Sequence, residues 1–266
     1  MNRIPTIAVI IPRFNHGEFL PDAVASVLAA GRNDVEPIVV DDGSTDERTR
    51  REMDALCARG IKVIRQKNKG LAAARNAGIA SSNAEFIFPL DADDRMRSSW
   101  VDRALAIFNS DPRTGVIYGD AQCFGVRAHL WHVGPFDANR LLGWNYIHAS
   151  ALYRRPVWEQ TRGYEGTMPV QGLEDWDFWL GALANGWKFA YIPEIFFEYR
   201  QHRESMATRT RGFENQIRDF VAKKHTLLYR QAWEPLAAEH ESIRKTAGNL
   251  CRLLRLRLRQ RFSSRW

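Results

Sequence analysis

The chain has 266 residues, of which 45% are hydrophobic and 26% are charged, and its formal net charge is +7. This composition suits a globular protein with one sizeable core, and it excludes a disordered chain or a fibre. The three cysteines, Cys57, Cys123 and Cys251, are odd in number and far apart. They argue against a disulfide framework and against a zinc site.

The amino-terminal region carries no targeting signal that we recognise. Its apolar run, Ile7 to Ile11, ends at Pro12 and is too short for a signal-peptide core or a membrane span. We therefore expect a cytoplasmic protein. Eight Lys or Arg and no acid lie between Ser242 and Trp266, so the rest of the chain is almost neutral. The basic character belongs to a tail, and we expect no nucleic-acid partner.

Short apolar runs alternate with helical patterns in the first third of the chain. The predicted strands are 7–11, 37–40, 61–65 and 86–90, and the predicted helices are 18–30, 46–59 and 70–80. This alternation predicts a parallel sheet with helices on both faces. After residue 115 the pattern is mixed, with strands expected at 116–118, 149–153 and 189–192 and a helix at about 173–185. We expect both halves to form one α/β domain, 1–210, followed by a helical extension, 211–266.

Polar residues follow three of the predicted strands. They are Arg13-Phe14-Asn15, Asp41-Asp42-Gly43 and Asp91-Ala92-Asp93-Asp94. In open α/β sheets ligands bind beyond the carboxyl ends of the strands, so these loops are expected to converge on one crevice. The carboxylates suit Mg²⁺ or Mn²⁺, which in turn bind nucleotide phosphates. The alternative is that they only form turns and helix caps.

Asp41 and Asp42 begin a tight turn in which Gly43 is free to adopt positive φ. One interpretation is a simple connection from strand to helix, capped by Ser44, Thr45 or Asp46. The other is that one carboxylate accepts a hydrogen bond from a nucleobase or a ribose. Spacing alone leaves both open.

Five segments in order resemble the signatures of family 2 glycosyltransferases. They are residues 10–15 (IIPRFN), 40–46 (VDDGSTD), 68–78 (NKGLAAARNAG), 90–94 (LDADD) and 174–177 (EDWD). The resemblance covers about residues 5–205. Five ordered motifs are far more specific than any one of them.

The resemblance implies a GT-A fold, a Rossmann-like mixed sheet flanked by helices, and inversion at the anomeric carbon. It also implies a nucleotide-sugar donor, most often a UDP-sugar, with Mn²⁺ or Mg²⁺ as cofactor. The positions that match the family's nucleotide-binding residues are Pro12, Phe14, Asp41, Asp42 and Arg75. Asp91 and Asp93 match the two acids of the DXD motif, with Asp93 holding the metal. Arg13 departs from the small polar residue often found there, and it either contacts phosphate or points outward.

Asp175 resembles the catalytic base of the family. Direct displacement at a sugar carbon needs the acceptor hydroxyl to lose its proton and the departing diphosphate to be neutralised. On a helix Asp175 shares a face with Trp179, so partial desolvation is expected to raise its pKa. Glu174 is the rival base. The structural alternative is that these acids merely favour the amino end of a helix.

Two further segments have two interpretations each. In Tyr199–Met206, His202 matches a histidine that approaches the metal or the diphosphate in some members of the family, but a lone histidine is as often a satisfied surface residue. Trp144 and Tyr146 are placed either to stack on a sugar or to pack in the core, and large aromatic area slightly favours the core.

The basic tail has the pattern of an interfacial helix. Leu250, Leu254, Leu258 and Phe262 share one stripe and the arginines lie largely opposite. Anionic lipids on the cytoplasmic face of a membrane would attract it. The alternative is packing on the catalytic domain or on a second subunit, as in a homodimer.

The sequence therefore predicts inverting transfer of a hexose to a glycan or a lipid-linked acceptor, in surface polysaccharide or lipopolysaccharide synthesis. Transfer to a polyprenyl phosphate is one alternative, because phosphate is already anionic and needs no strong base. A nucleotide-sugar-binding protein without turnover is another. Nucleotidyl transfer is disfavoured, because Pro12-Arg13-Phe14-Asn15 is not a glycine-rich phosphate loop.

Overall fold

The structure is a computed structural model that describes residues 6–202 and 212–234. The strands are β1 (Ile7–Arg13), β2 (Val35–Asp41), β3 (Lys62–Arg65), β4 (Phe86–Pro89), β5 (Arg95–Met96), β6 (Thr114–Gly125), β7 (His129–Trp131), β8 (Leu152–Arg154) and β9 (Lys188–Gln201). The helices are α1 (Leu20–Leu28), α2 (Glu47–Ala58), α3 (Leu71–Ala80), α4 (Val101–Ser110), α5 (Ala138–Gly143), α6 (Arg155–Thr161), α7 (Glu174–Ala184) and α8 (Glu214–Lys224). A 3₁₀ turn, Gly17–Phe19, leads into α1.

Within these described residues the strands form one mixed sheet in the order β3-β2-β1-β4-β8-β6-β9-β5, with β7 beside β6. β1 to β4 are parallel, as their alternation with helices predicts. β8 is antiparallel to both β4 and β6, whereas β6 and β9 run parallel. The expected α/β fold with a mixed sheet is confirmed. Because β1 to β4 are parallel, the loops that follow them lie at the same edge of the sheet, where ligands bind in open α/β sheets.

The sheet is covered on both faces, which explains why β1 is an unbroken apolar run. Ile7, Val9 and Ile11 belong to a core cluster that includes Trp100 stacked on Phe196, with ring centroids 4.2 Å apart. On the other face α3 approaches β1 closely at Gly78. A Cβ at this position would lie 2.6 Å from the Ile10 side chain, so only glycine fits here.

β6 and β9 form the longest strand pair and were only partly predicted, because glycines interrupt the apolar pattern of β6. The ladder has irregularities near Gly119, where a Cβ would meet the Phe196 ring and the Glu194 carbonyl. Glycine therefore permits the close approach of the two strands. Because β9 is long, its last residues lie beside the loop that follows β4.

The chain divides into two compact units between residues 221 and 222. In the first unit, Ile217 and Val221 of α8 are buried. In the second, residues 226–234 are helical and expose Leu227 and Trp233. The boundary expected at residue 210 stays a prediction, and the predicted basic stripe from Leu250 to Phe262 lies outside the described residues. None of the helices within 6–202 and 212–234 has the length and apolar character of a membrane span.

Candidate active site

The loops after β1 and β2 are tied together by Asn15. Its Oδ1 accepts hydrogen bonds from the backbone N–H of Thr45 at 2.8 Å and of Asp46 at 3.2 Å, and its own N–H donates to Ser44 Oγ at 2.9 Å. Asn15 adopts φ 53°, a left-handed conformation that asparagine tolerates better than most residues. The first two polar loops therefore do converge, as predicted.

Arg13 folds back onto its own loop, where its guanidinium donates to the carbonyl oxygens of Asn15 and His16. Arg13 therefore does not simply point outward, and its contact with a phosphate stays a prediction. Pro12 is buried in β1, and the Phe14 ring is 44% exposed beside it. An exposed aromatic ring next to polar loops is available for stacking, so a base-binding role of Phe14 stays a prediction.

Asp41 and Asp42 are both buried, and their carboxylates have separate partners. Asp41 accepts from the Ser44 N–H at 2.8 Å, which closes the turn. Asp42 accepts from the N–H groups of Lys69 at 2.9 Å and Gly70 at 2.8 Å. It also accepts from the Gln66 side chain at 2.7 Å. Most of the lone pairs of Asp42 thus have partners within the protein, and its contact with a nucleotide stays a prediction.

Arg75 joins the third polar loop to helix α7. Its guanidinium is buried and donates to Asp91 at 2.9 Å and to Glu174 at 3.3 Å. Burial alone would lower the pKa of Arg75, but the two carboxylates outweigh burial and raise it. The same arginine overcomes the burial of Asp91 and holds the pKa of that carboxyl below its usual range. Arg75 is therefore charged and fixes Asp91 relative to the start of α7.

The end of β9 packs on the loop that contains Asp93. The backbone N–H of Arg200 donates to Asp94 Oδ1 at 2.8 Å, and its Nε donates to the carbonyl of Asp93, also at 2.8 Å. Arg200 additionally reaches Asp22 at 3.4 Å. These contacts bring His202 Nε2 to 2.7 Å from Asp93 Oδ2. The two residues that the sequence assigned to a metal therefore meet, although they lie 109 positions apart.

Asp175 lies at the amino end of α7 and is only 9% exposed. Burial, reinforced by the negative charge of Glu174, raises the pKa of Asp175 to about 7. Its Oδ1 accepts from the N–H of Trp176 at 2.9 Å, and Asn145 donates a further hydrogen bond. Glu174 is instead bound by Arg75 and by the Gly172 N–H at 2.7 Å. Of the two rivals, Asp175 is better placed to exchange a proton near neutral pH.

The helix that carries Asp175 is held rigidly by its tryptophans. Trp176 Nε1 donates to the Leu141 carbonyl at 2.7 Å, and Trp179 Nε1 donates to the Ile147 carbonyl at 3.0 Å. Both rings are fully buried. These bonds fix α7 against the segment 141–147, which therefore helps to orient Asp175.

Asp91, Asp175 and His202 all line one cavity of about 630 Å³. Trp144 is half-buried on its wall, with the Arg218 guanidinium 5.1 Å from its ring centroid. Tyr146 also reaches the cavity but is mostly buried, and its hydroxyl accepts from the Asp137 N–H at 2.8 Å. Trp144 thus suits the ligand-facing interpretation and Tyr146 the core interpretation.

The cavity is also lined by three residues without a role predicted from the sequence, Trp131, His148 and Tyr199. Burial lowers the pKa of His148 to about 4, so its imidazole is neutral at physiological pH. The ring stacks on Phe197 at a centroid distance of 4.6 Å. The sequence gives no sign that His148 faces Asp91, and the structure places its Nε2 3.9 Å from Asp91 Oδ2.

Comparison with known proteins then identifies the family. The sequence model of glycosyl transferase family 2 matches residues 8–170, which include the loop of Asp91 and Asp93. The chain belongs to glycosyl transferase family 2. The expectation drawn from the five ordered motifs is confirmed.

Relatives of this family 2 glycosyltransferase include a putative glycosyltransferase, EpsE, and a chondroitin synthase. It is 26% identical to EpsE of Bacillus subtilis over 219 residues, which cover 79% of this chain and 78% of EpsE. It is 25% identical to chondroitin synthase of Escherichia coli over 217 residues, again 79% of this chain. The matched part is only 31% of that synthase, so the chain spans less than a third of its length.

Among solved structures, S. aureus TarS 1–349 in complex with UDP-GlcNAc is similar with a TM-score of 0.63 and 18% sequence identity. The similarity covers 76% of this chain and 61% of that one. This likeness confirms the GT-A fold.

The residues at the Asp93 loop fit a divalent cation. Two ligand atoms that occupy neighbouring corners of a Mg²⁺-sized octahedron lie about 3 Å apart. The 2.7 Å separation of Asp93 Oδ2 and His202 Nε2 is close to this spacing. One ligand atom each from Asp91, Asp94 and His148 forms a second group within 4.8 Å of one another.

Proposed function

We propose that this family 2 glycosyltransferase transfers a hexose from a nucleotide-diphosphate sugar to a hydroxyl group, with inversion of the anomeric carbon. The observation that carries the proposal is the shared cavity. Asp91 and His202 border it on the side of the DXD loop, and Asp175 borders it with a pKa raised to about 7. A base with this pKa, in the same cavity as a phosphate-binding group, has the arrangement that direct displacement requires.

In this mechanism Asp175 removes the proton of the acceptor hydroxyl as the oxygen attacks the anomeric carbon. The bond from that carbon to the diphosphate breaks on the opposite face, so the configuration inverts. Asn145 and the Trp176 N–H orient the carboxylate. The hydrogen bonds of Trp176 and Trp179 hold helix α7, and with it the carboxylate, in position.

Asp93 and His202 would hold a Mn²⁺ or Mg²⁺ ion, with Asp91 beside them. When bound, such an ion neutralises the charge that develops on the departing diphosphate. Arg75 keeps Asp91 in place and offsets its charge. Pro12, Phe14, Asp41 and Asp42 would bind the nucleotide at the outer end of the same crevice.

A UDP-sugar is the proposed donor, and a glycan or lipid-linked hydroxyl is the proposed acceptor. Chondroitin synthase among the relatives and the UDP-GlcNAc complex of TarS support these classes. They favour a role in surface polysaccharide or lipopolysaccharide synthesis. The raised pKa of Asp175 favours a hydroxyl acceptor over a polyprenyl phosphate, which needs no base of this strength.

The test is UDP release from UDP-glucose, UDP-galactose and UDP-GlcNAc with Mn²⁺ and a panel of oligosaccharide acceptors, followed by NMR of the product. We expect one donor to be turned over and its anomeric configuration to be inverted. Retained configuration would contradict displacement by a hydroxyl that Asp175 activates. Binding of UDP without turnover of any donor would favour a nucleotide-sugar-binding protein instead.

A further inference from the structure

His148 has a fixed orientation in the cavity. Its imidazole stacks on Phe197, and the Trp131 ring meets it edge-on with the centroids 6.1 Å apart. Its Nδ1 accepts a hydrogen bond from the backbone N–H of Ser150 at 3.1 Å. The ring therefore cannot turn over without leaving a buried N–H without an acceptor, which is unfavourable.

The Ser150 contact also fixes the tautomer. An N–H group donates, so Nδ1 must offer its lone pair, and the proton of the neutral imidazole resides on Nε2. In this state Nε2 is a hydrogen-bond donor and has no lone pair for a metal. His148 is therefore unsuited to ligate an ion together with Asp91 and Asp94, although the three ligand atoms lie close together.

His148 Nε2 lies 3.9 Å from Asp91 Oδ2. This distance is too long for a direct hydrogen bond. It suits two groups that both form hydrogen bonds with the same oxygen atom of a ligand. The shared group must accept from His148 and donate to the Asp91 carboxylate. A hydroxyl does both, whereas a phosphate oxygen cannot donate and would be repelled by Asp91.

The position of the pair indicates which hydroxyl it takes. His148 and Asp91 line the cavity that also contains Asp175, whereas Phe14 and Asp42, expected at the nucleotide end, do not line it. Resting on the proposed function, we propose that His148 and Asp91 together bind one hydroxyl of the transferred sugar. His148 is then a specificity-determining residue, because a sugar without this hydroxyl leaves both groups unpaired.

Two substitutions separate this role from a structural one. In His148→Asn the amide oxygen replaces Nδ1 and keeps the bond from the Ser150 N–H, but no donor reaches the cavity. In His148→Gln the amide nitrogen replaces Nε2 and keeps the donor, but Nδ1 is lost. A structural role would make the Asn variant the milder change, whereas hydroxyl binding makes the Gln variant the milder one.

The measurement is calorimetric binding of UDP and of UDP-glucose, UDP-galactose and UDP-GlcNAc, in the presence of Mn²⁺. For the sugar nucleotide that binds the wild type most tightly, we expect Kd to rise about threefold to tenfold in His148→Asn and less in His148→Gln. The Kd of UDP should stay the same in both, because UDP contains the ribose but no transferred sugar. A parallel rise in the Kd of UDP would assign the hydroxyl to the ribose and overturn the proposal.

Two further results would also overturn it. A fall in Mn²⁺ affinity in both variants, neither of which keeps an imidazole nitrogen, would make His148 a metal ligand. Equal sugar-nucleotide affinities of the wild type and both variants would show that His148 does not contact the sugar. If either variant does not fold, ¹⁵N-histidine NMR of the wild type with Mg²⁺ decides the question: the Nε2–H resonance of His148 should persist and shift with the UDP-sugar but not with UDP. Failure of the wild type to bind UDP at all would contradict the proposed function itself.

Discussion

Replacing Asp175 with Asn should make the protein more stable and far less active. Burial and the charge of Glu174 raise the pKa of Asp175 from 3.8 to about 7. The native state therefore holds this proton more tightly than the unfolded chain does, and native stability is lost as the pH rises from about 4 to about 7. At pH 7 and above, the ionised carboxylate costs up to about 4 kcal/mol. Asparagine has no charge to bury, and its amide oxygen can still accept from the Trp176 N–H.

The assay is urea unfolding of both proteins without metal between pH 5 and pH 8. The advantage of Asp175→Asn should grow by roughly 2–3 kcal/mol across this range, while kcat for transfer falls by a factor of about 10² to 10⁴. Glu174→Gln is the matched control. It removes a neighbouring carboxylate but breaks the buried pair with Arg75, so it should destabilise the protein at every pH in the range. A stability difference for Asp175→Asn that does not change with pH would refute the reasoning.

Three other predictions concern the same site. The kcat/KM of the wild type should rise with pH and level off above about pH 7, as Asp175 loses its proton, and a profile that is flat from pH 5 to pH 8 would argue against this base. Arg75→Met should lower the unfolding free energy by about 3 kcal/mol or more in urea titrations, because it breaks the ion pairs of two carboxylates. The control is Arg65→Met, which breaks an exposed pair with Asp54 and should cost under about 1 kcal/mol. Equal losses in the two variants would contradict the role of burial. Asp93→Asn should weaken Mn²⁺ binding, measured by electron paramagnetic resonance, by roughly tenfold or more, and unchanged affinity would place the ion elsewhere.

The half of the fold that contains β1 to β4 could be predicted because each strand and helix there has its own local signal. Strands buried on both faces form unbroken apolar runs, as in Ile7–Ile11, and the helices between them have amphipathic spacing. β6 and β9 gave a weaker signal, because Gly119 and Pro193 interrupt their patterns within a single ladder. Helix α4 was missed for a different reason. It begins directly after Trp100 without a side-chain cap, so Asp102 in its first turn gives only a weak signal for its start.

Part of the candidate site could also be predicted from the sequence, and part could not. Asp93 and His202 were named from motifs, and the β6–β9 ladder explains how residues so far apart in sequence meet. The resemblance already favours Asp175 over Glu174, and the structure adds a physical reason, because Arg75 pairs with Glu174. No sequence pattern reports a tautomer. The role proposed for His148 depends on the Ser150 N–H and on a 3.9 Å gap to Asp91, which only three-dimensional placement provides.

The most direct test of the proposed mechanism is a crystal structure of the protein with Mn²⁺ and a UDP-sugar. We expect the ion between Asp93 and His202, the diphosphate bound to that ion, and the free face of the anomeric carbon turned towards Asp175. There should be room for one acceptor oxygen between that carbon and the carboxylate. A sugar that lies with its anomeric carbon turned away from Asp175, or a diphosphate bound outside the cavity that Asp91 and His202 line, would contradict it.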